Sequence, residues 1–289
     1  MSIIVKEAME MAEKVLEKAG CLDPKLDAER LFQFQHNLDN TGLFLMKPKT
    51  LDQKETEQYF ELVDIRTTGM PLQYITGTQE FMGLSFKVNE NVLIPRQDTE
   101  TLVEEALHYI RDKDKILDLC CGSGAIGISL AHYCREAGKK VKVTGSDVSE
   151  KALAVARENA KALGVEKWIT FAQGDLFLPF NKRFSKQKFN LIVTNPPYIK
   201  SAVIPTLQRE VKDHEPILAL DGGVTGLDFY RRILAEAWHY LEKGGMLMME
   251  IGHDQGADME ALFEGNARYT GFRLLPDLAG HDRVAVLKL

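Results

Sequence analysis

Cysteine is scarce in this chain of 289 residues: there are four, Cys21, Cys120, Cys121 and Cys134, and no two form a Cys-x-x-Cys pair. No histidines stand at zinc-ligand spacing around them, so no metal site is expected. Cys120 and Cys121 are adjacent, where a disulfide would be strained, and all four read as reduced thiols used as small packing residues. Also missing is any apolar run near the ~20 residues that span a bilayer. The first twenty residues carry four glutamates among their apolar positions, which is not a signal-peptide pattern. A cytoplasmic protein with no membrane partner is the expectation. Nor is there a basic excess. Net charge is -6; residues 1–90 hold 10 basic and 15 acidic side chains, and residues 91–289 hold 26 and 27. A dedicated nucleic-acid binder would show the opposite balance, so no direct nucleic-acid partner is expected. The run Lys182, Arg183, Lys186 and Lys188 reads as a solvated loop. Internal repeats and low-complexity segments are absent.

What is present describes an ordinary globular protein, 45% apolar and 27% charged, long enough for one or two domains. Up to about residue 70 the pattern is helical. Ile4, Ala8, Met11, Ala12, Val15, Leu16 and Ala19 form one apolar stripe, stopped by Gly20. Asp23-Pro24 suits a helix start, with proline at the first helical position of a segment reaching about Gln35. A third helix is predicted from about Asp52 to Thr68. Residues 1–70 thus read as a helical bundle. From 71 to 97 the pattern changes to strand-like Phe81, Leu84, Phe86, Val88 and Val92-Leu93-Ile94. Gly83 and Asn89-Glu90-Asn91 supply turn signals, which predicts a β-hairpin linker.

From residue 98 to 289 strands and helices alternate. A helix from Asp98 or Thr99 to Ile110 is followed by seven predicted strands: Lys115–Leu119, Val141–Ser146, Ile169–Ala172, Leu191–Thr194, Met246–Ile251, Phe272–Leu275 and Arg283–Leu289. Helices are predicted at Ala125–Ala137, Glu150–Leu163, Leu227–Leu241 and near Met259–Phe263. The expected class is α/β, a Rossmann-like and mostly parallel seven-stranded sheet whose last two strands form a hairpin. That is the arrangement of the class I methyltransferase fold. Ligands in such sheets bind beyond the carboxyl ends of the strands.

The segment Ile116-Leu117-Asp118-Leu119-Cys120-Cys121-Gly122-Ser123-Gly124 leaves a strand and opens a helix. Gly122 and Gly124 let the backbone turn sharply and approach a ligand, and the helix start offers unpaired N–H groups. Asp147 ends the next strand, where its carboxylate can accept both hydrogen bonds of a ribose diol, with Val148 beside it. Asp118 could hold the ammonium of a methionine moiety, directly or through water, or simply brace the loop as an acceptor. Asp175, followed by Leu176, could accept from an adenine amino group or serve as a turn aspartate. A nicotinamide dinucleotide would suit part of this arrangement, but counted from Cys120, Ala125 stands where the fingerprint places its third glycine. Three aspartates after three successive strands favour S-adenosyl-L-methionine, held by Asp118, Cys120, Cys121, Gly122, Ser123, Gly124, Asp147, Val148, Asp175, Leu176 and Asn195.

The apolar strand ending at Thr194 runs straight into Asn195-Pro196-Pro197-Tyr198. Two prolines fix φ and remove two backbone donors, leaving carbonyls to meet a ligand. The Asn195 side chain adds one acceptor and two donors. An amide or aromatic amino nitrogen is a poor nucleophile because its lone pair is delocalised. Accepting both of its N–H bonds, at the Asn195 oxygen and the Pro196 carbonyl, would draw it toward tetrahedral geometry and stabilise the developing charge. Tyr198 would stack on the planar acceptor. Asn195, Pro196 and Tyr198 are therefore the catalytic candidates, with Pro197 completing the substrate-binding turn. Either a protein amide or the exocyclic nitrogen of a nucleic-acid base fits this chemistry.

Over about residues 70–289 the chain resembles the peptide chain release factor glutamine methyltransferases, the HemK family. Pro71-Leu72-Gln73-Tyr74-Ile75-Thr76-Gly77, Glu80-Phe81, Leu93-Ile94-Pro95-Arg96-Gln97-Asp98-Thr99-Glu100, the loop at 118–124, Asn195–Tyr198, His214-Glu215-Pro216 and Ala219-Leu220 carry the resemblance, in the family's order. It implies methylation of the side-chain nitrogen of the glutamine in the Gly-Gly-Gln tripeptide of class I release factors. It also implies that the helical domain helps grip that protein. The family often has glycine where this chain has Cys120, and threonine or a similar residue at Cys121. Arg96 has no role assigned by chemistry beyond a carboxylate or phosphate partner.

Overall fold

The computed structural model describes residues 3–181 and 187–289. Lys182, Arg183 and Lys186 of the basic run lie outside the described residues; Lys188 donates through Nζ to the Leu241 carbonyl at 2.9 Å. The chain forms two compact units, Met1–Thr78 with Leu207–His214, and Gln79–Thr206 with Glu215–Leu289.

The first unit is helical: Val5–Lys18, Pro24–His36, Asn40–Met46, Gln53–Thr67 and Leu72–Thr76. Its core gathers Val5, Ala8, Leu16, Leu31, Phe32, Tyr59 and Val63. Asp52 starts the fourth helix with a capping box, its side chain taking the Glu55 N–H while Glu55 takes that of Asp52. Asp23, by contrast, makes no side-chain cap, although Pro24 does open its helix. Helix Leu72–Thr76 carried no prediction, nor did the following helix and strand pair. Asn40–Met46 begins where Asp39 accepts from the Gly42 N–H at 2.6 Å, and Ile3–Ile4 pairs with Thr50–Leu51 as a two-stranded sheet.

The second unit opens with a hairpin, Thr78–Phe81 and Leu84–Lys87, turned at Met82-Gly83. Val92-Leu93-Ile94, read as a strand, is irregular backbone in the structure. Val92 and Ile94 are buried by packing, which gives the same apolar signature as a ladder. A 3-10 turn, Gln97–Thr99, leads into helix Glu100–Tyr109. Seven strands then build one sheet: β1 (Lys115–Leu119), β2 (Lys142–Asp147), β3 (Ile169–Gln173), β4 (Phe189–Thr194), β5 (Leu241–Glu250), β6 (Gly271–Pro276) and β7 (Asp282–Lys288). Their order is β6-β7-β5-β4-β1-β2-β3. β3, β2, β1, β4 and β5 run parallel. β7 is antiparallel to both β5 and β6.

Helices Ala125–Glu136 and Glu150–Ala162 follow β1 and β2, and Asp228–Glu236 precedes β5. The last of these ends earlier than predicted, in a 3-10 turn at Ala237–His239, because Leu241 already belongs to β5. Two apolar clusters form in this unit, one around Leu102, Ile128 and Val143 and the other around Phe177, Tyr230 and Tyr240. Such central strands are apolar at nearly every position, and β4 shows it: of Phe189–Thr194, only Asn190 is not buried. No helix is long and apolar enough to cross a membrane.

Candidate active site

β1, β2, β3 and β4 all send their carboxyl ends toward one cavity, with about 750 Å³ of atom-free space, open solvent at its mouth included. A strand order that reverses between β1 and β4 leaves a crevice there. The cavity wall includes Cys120 and Gly122 after β1, Asp147 and Val148 at β2, Asp175 and Leu176 after β3, and Asn195 and Pro197 after β4. Eight of the residues expected from the sequence thus meet around one space.

The loop after β1 is held by its neighbours. Asp147 Oδ2 accepts from the Gly122 N–H and Oδ1 from the Ser149 N–H, each at 2.9 Å. Burial raises the Asp147 pKa, and these backbone donors oppose the rise. Gly122 has φ 52°, and a Cβ built there would meet nothing within 4 Å, so the backbone fronts open space. Cys120 also adopts positive φ, 54°, a region that favours glycine. Gly124, at φ 81°, precedes helix Ala125–Glu136. Buried Asn159 clamps the loop from behind, donating to the Ser123 and Lys87 carbonyls at 3.0 Å and accepting from the Lys87 N–H at 2.7 Å. Burial pushes the Cys120 and Cys121 thiols well up, so neither is a ready nucleophile.

Six of the expected residues are not on this wall: Asp118, Cys121, Ser123, Gly124, Pro196 and Tyr198. Asp118 is fully buried and its Oδ2 accepts from the Gly127 N–H at 2.8 Å, the loop-bracing alternative. Burial pushes its carboxyl up to about 8. Tyr198 turns its hydroxyl inward and donates to Glu250 Oε1 at 3.2 Å. Asp175 pairs with Arg232. Arg96 finds a carboxylate partner within the chain, Glu215, at 2.6 Å.

Other residues on the wall carried no role in the sequence. Ser146, in β2, presents an Oγ buried without a hydrogen-bond partner among the described residues. Leu93, Pro216, Leu218, Ala219 and Phe229 supply apolar surface. Some of these lie inside quoted motifs, but only the fold shows that loops over a hundred residues apart share one wall.

The acceptor turn is braced from below. Thr194 donates to the Leu119 carbonyl at 2.8 Å, tying the ends of β4 and β1. Asn195 Nδ2 donates to Thr99 Oγ1 at 3.3 Å. Buried Gln255 donates to the carbonyls of Tyr198 and Gly226 at 3.2 Å, and its Oε1 accepts from the Gly252 N–H at 2.8 Å. Among the described residues no three His, Cys, Asp or Glu side chains cluster as a metal cage.

This sheet, with a glycine loop and an Asn-Pro-Pro-Tyr turn on one cavity, defines a class I methyltransferase. Residues 110–270 match the family described as methyltransferase domain, and residues 7–77 match the PrmC N-terminal domain. The crystal structure of a methyltransferase from Pyrococcus furiosus shares the fold at TM-score 0.50 and 17% identity, covering 72% of this chain and 89% of that one. The release factor glutamine methyltransferase of Moorella thermoacetica is 41% identical over 96% of both chains. That of Clostridium acetobutylicum is 38% identical over 98% of this chain and 97% of its own. The chain belongs to the release factor glutamine methyltransferase family.

Proposed function

We infer that this protein transfers a methyl group from S-adenosyl-L-methionine to the side-chain amide nitrogen of the Gly-Gly-Gln glutamine in class I peptide chain release factors, in the cytoplasm. The observation that carries the reading is that Asn195 stands on the same cavity wall as Gly122 and Asp147. The donor set suits the cofactor. Gly122 leaves space where any side chain would intrude. Ser146 Oγ is buried without a partner among the described residues, and Asp147 keeps lone pairs beyond those given to Gly122 and Ser149. Gly122, Ser146 and Asp147 would hold the ribose and methionine portions, and the apolar wall around Leu176 and Phe229 the adenine. When bound, this cofactor supplies an electrophilic methyl group on a sulfonium.

Everything else falls to the chain's own residues. Asn195 Oδ1 and the Pro196 carbonyl each accept one N–H of the substrate amide, drawing its hydrogens out of plane and freeing the nitrogen lone pair. Both acceptors would then stabilise the positive charge that develops on that nitrogen. Pro196 and Pro197 keep the turn rigid, so little reorganisation is needed when substrate arrives. Asp118 acts at one remove, as a brace for the loop. The helical unit serves as the grip on the release factor, consistent with its match to a domain found beside this catalytic domain in the family.

The test is incubation with methyl-labelled cofactor and, in parallel, purified class I release factor, its Gly-Gly-Gln glutamine-to-alanine variant, DNA and RNA. Label is expected only in the unaltered release factor. Label in nucleic acid would favour a base-amino methyltransferase instead.

A further inference from the structure

Pro196 and Pro197 have no N–H, so the middle of the acceptor turn offers no backbone donor to anchor it. The turn is tied at its two ends instead. At the entrance the Thr194 hydroxyl donates to the Leu119 carbonyl at 2.8 Å. At the exit the Tyr198 carbonyl accepts from Gln255 Nε2 at 3.2 Å, across 57 positions of sequence. Gln255 stands in the loop after β5 and is 2% exposed. Both ends of its amide are used. Nε2 also donates to the Gly226 carbonyl at 3.2 Å, and Oε1 accepts from the Gly252 N–H at 2.8 Å. The Tyr230 hydroxyl faces both Oε1, at 3.2 Å, and the Glu250 carbonyl, at 3.1 Å. Two carbonyls need donors and the Gly252 N–H needs an acceptor, so this amide can face only one way.

The segments it joins lie in close contact. A Cβ added at Gly222 would fall 2.6 Å from the Tyr198 Cα, and one at Gly226 would fall 2.5 Å from the Tyr198 oxygen. Backbone bonds cross the same contact: the Ile199 N–H donates to the Leu220 carbonyl at 3.0 Å, and the Gly222 N–H to the Ile199 carbonyl at 2.8 Å. Just before Leu220, the residues Pro216, Leu218 and Ala219 stand on the cavity wall with Asn195 and Pro197. Gln255 itself is not on that wall, and its bonds reach none of Gly122, Ser146 and Asp147.

We propose that Gln255 is a positioning residue for methyl transfer, whose buried amide holds the Asn195–Tyr198 turn in place against the segment carrying Pro216, Leu218 and Ala219. This deepens the function inferred above and rests on it: the gap between turn and wall is where the planar substrate amide enters. With only the Thr194 end tied, the turn could shift as a unit and carry the Asn195 oxygen and the Pro196 carbonyl off the line of attack. A displacement on the order of 1 Å costs about 100-fold in rate, while the cofactor side of the cavity keeps its contacts.

Two signals test this, one with substrate and one without. Gln255→Met keeps the length of the side chain but none of its hydrogen bonds. In steady-state methylation of the release factor its kcat should fall roughly 10- to 100-fold. The KM for release factor and the cofactor affinity should change less than about twofold. Gln255→Asn, one methylene too short to reach both carbonyls, should show the same split, and it decides the matter if the methionine variant does not fold. In the second experiment, amide hydrogen exchange at Ile199 and Gly222 should be at least about tenfold faster in the variant than in the wild type. Exchange at Ile192 and Val193, within β4, should not change. Unaltered kcat, a loss of cofactor affinity in proportion to the rate, or equal loosening of β4 would overturn the proposal. If the wild type fails to methylate the release factor, the inferred function falls, while the exchange experiment still decides whether Gln255 pins the turn.

Discussion

Asp118 illustrates why residue type and spacing leave a role undecided. Its place at the end of β1 suited a ligand to the cofactor's ammonium and a loop brace equally well. The structure shows the brace: the side chain is fully buried and its Oδ2 accepts from the Gly127 N–H, while Oδ1 has no partner among the described residues. A carboxyl raised to about 8 holds its proton more tightly in the folded chain than in the unfolded one, where the value is 3.8. Its contribution to stability is complete below the unfolded value and is lost as pH rises through the folded one. Asp118→Asn, which keeps an acceptor for Gly127, should flatten the decline in thermal midpoint between about pH 4 and 8. An unchanged slope in a pH series of melts would contradict this. That Asn195, Asp147 and Gly122 would meet at one cavity was readable because each lies at or just beyond the carboxyl end of a strand. Thr99 and Gln255 were not: each meets the turn after β4 through a partner distant in sequence, Thr99 with Asn195 and Gln255 with Tyr198, and no local pattern records that.

Strands and long helices declared themselves through periodicity. β1 matches its predicted range residue for residue, and the helices after β1 and β2 agree to within a residue at their ends. Short elements did not. Leu72–Thr76 spans five residues, too few for a helical stripe to repeat, and Val92 and Ile94 are buried although their segment forms no strand. The loop after β1 carries a sharper lesson. Its path needs a left-handed residue at position 120, and this chain places cysteine there at φ 54°. A non-glycine residue in that region costs on the order of 1–2 kcal/mol, and a β-branched one more. Cys120→Val should destabilise the protein by about 1–3 kcal/mol in urea unfolding, while Cys120→Gly should not. Equal stabilities for the two variants would show that the loop's path does not depend on that backbone state.

The helical unit is closed by a piece of chain that sequence order would assign elsewhere, Leu207–His214. Arg66 explains how it is held. The guanidinium, 4% exposed, bonds Asp27 Oδ2 at 2.8 Å and the Met70 carbonyl at 3.0 Å, and pairs with Glu210 of that segment. Removing it strands two carboxylates, one of them buried, so Arg66→Ala should cost about 3–5 kcal/mol of stability by denaturant titration. A loss under about 1 kcal/mol would mean the network is solvated. For the protein as a catalyst, the account depends on the rigid turn after β4 acting on the substrate amide and not on the cofactor. The decisive measurement is a single-turnover methylation of release factor by Asn195→Ala at saturating cofactor, paired with calorimetric titration of the cofactor alone. The rate should fall at least about 100-fold while cofactor affinity stays within about threefold. Loss of cofactor affinity in proportion to the rate, or an unchanged rate, would contradict the account.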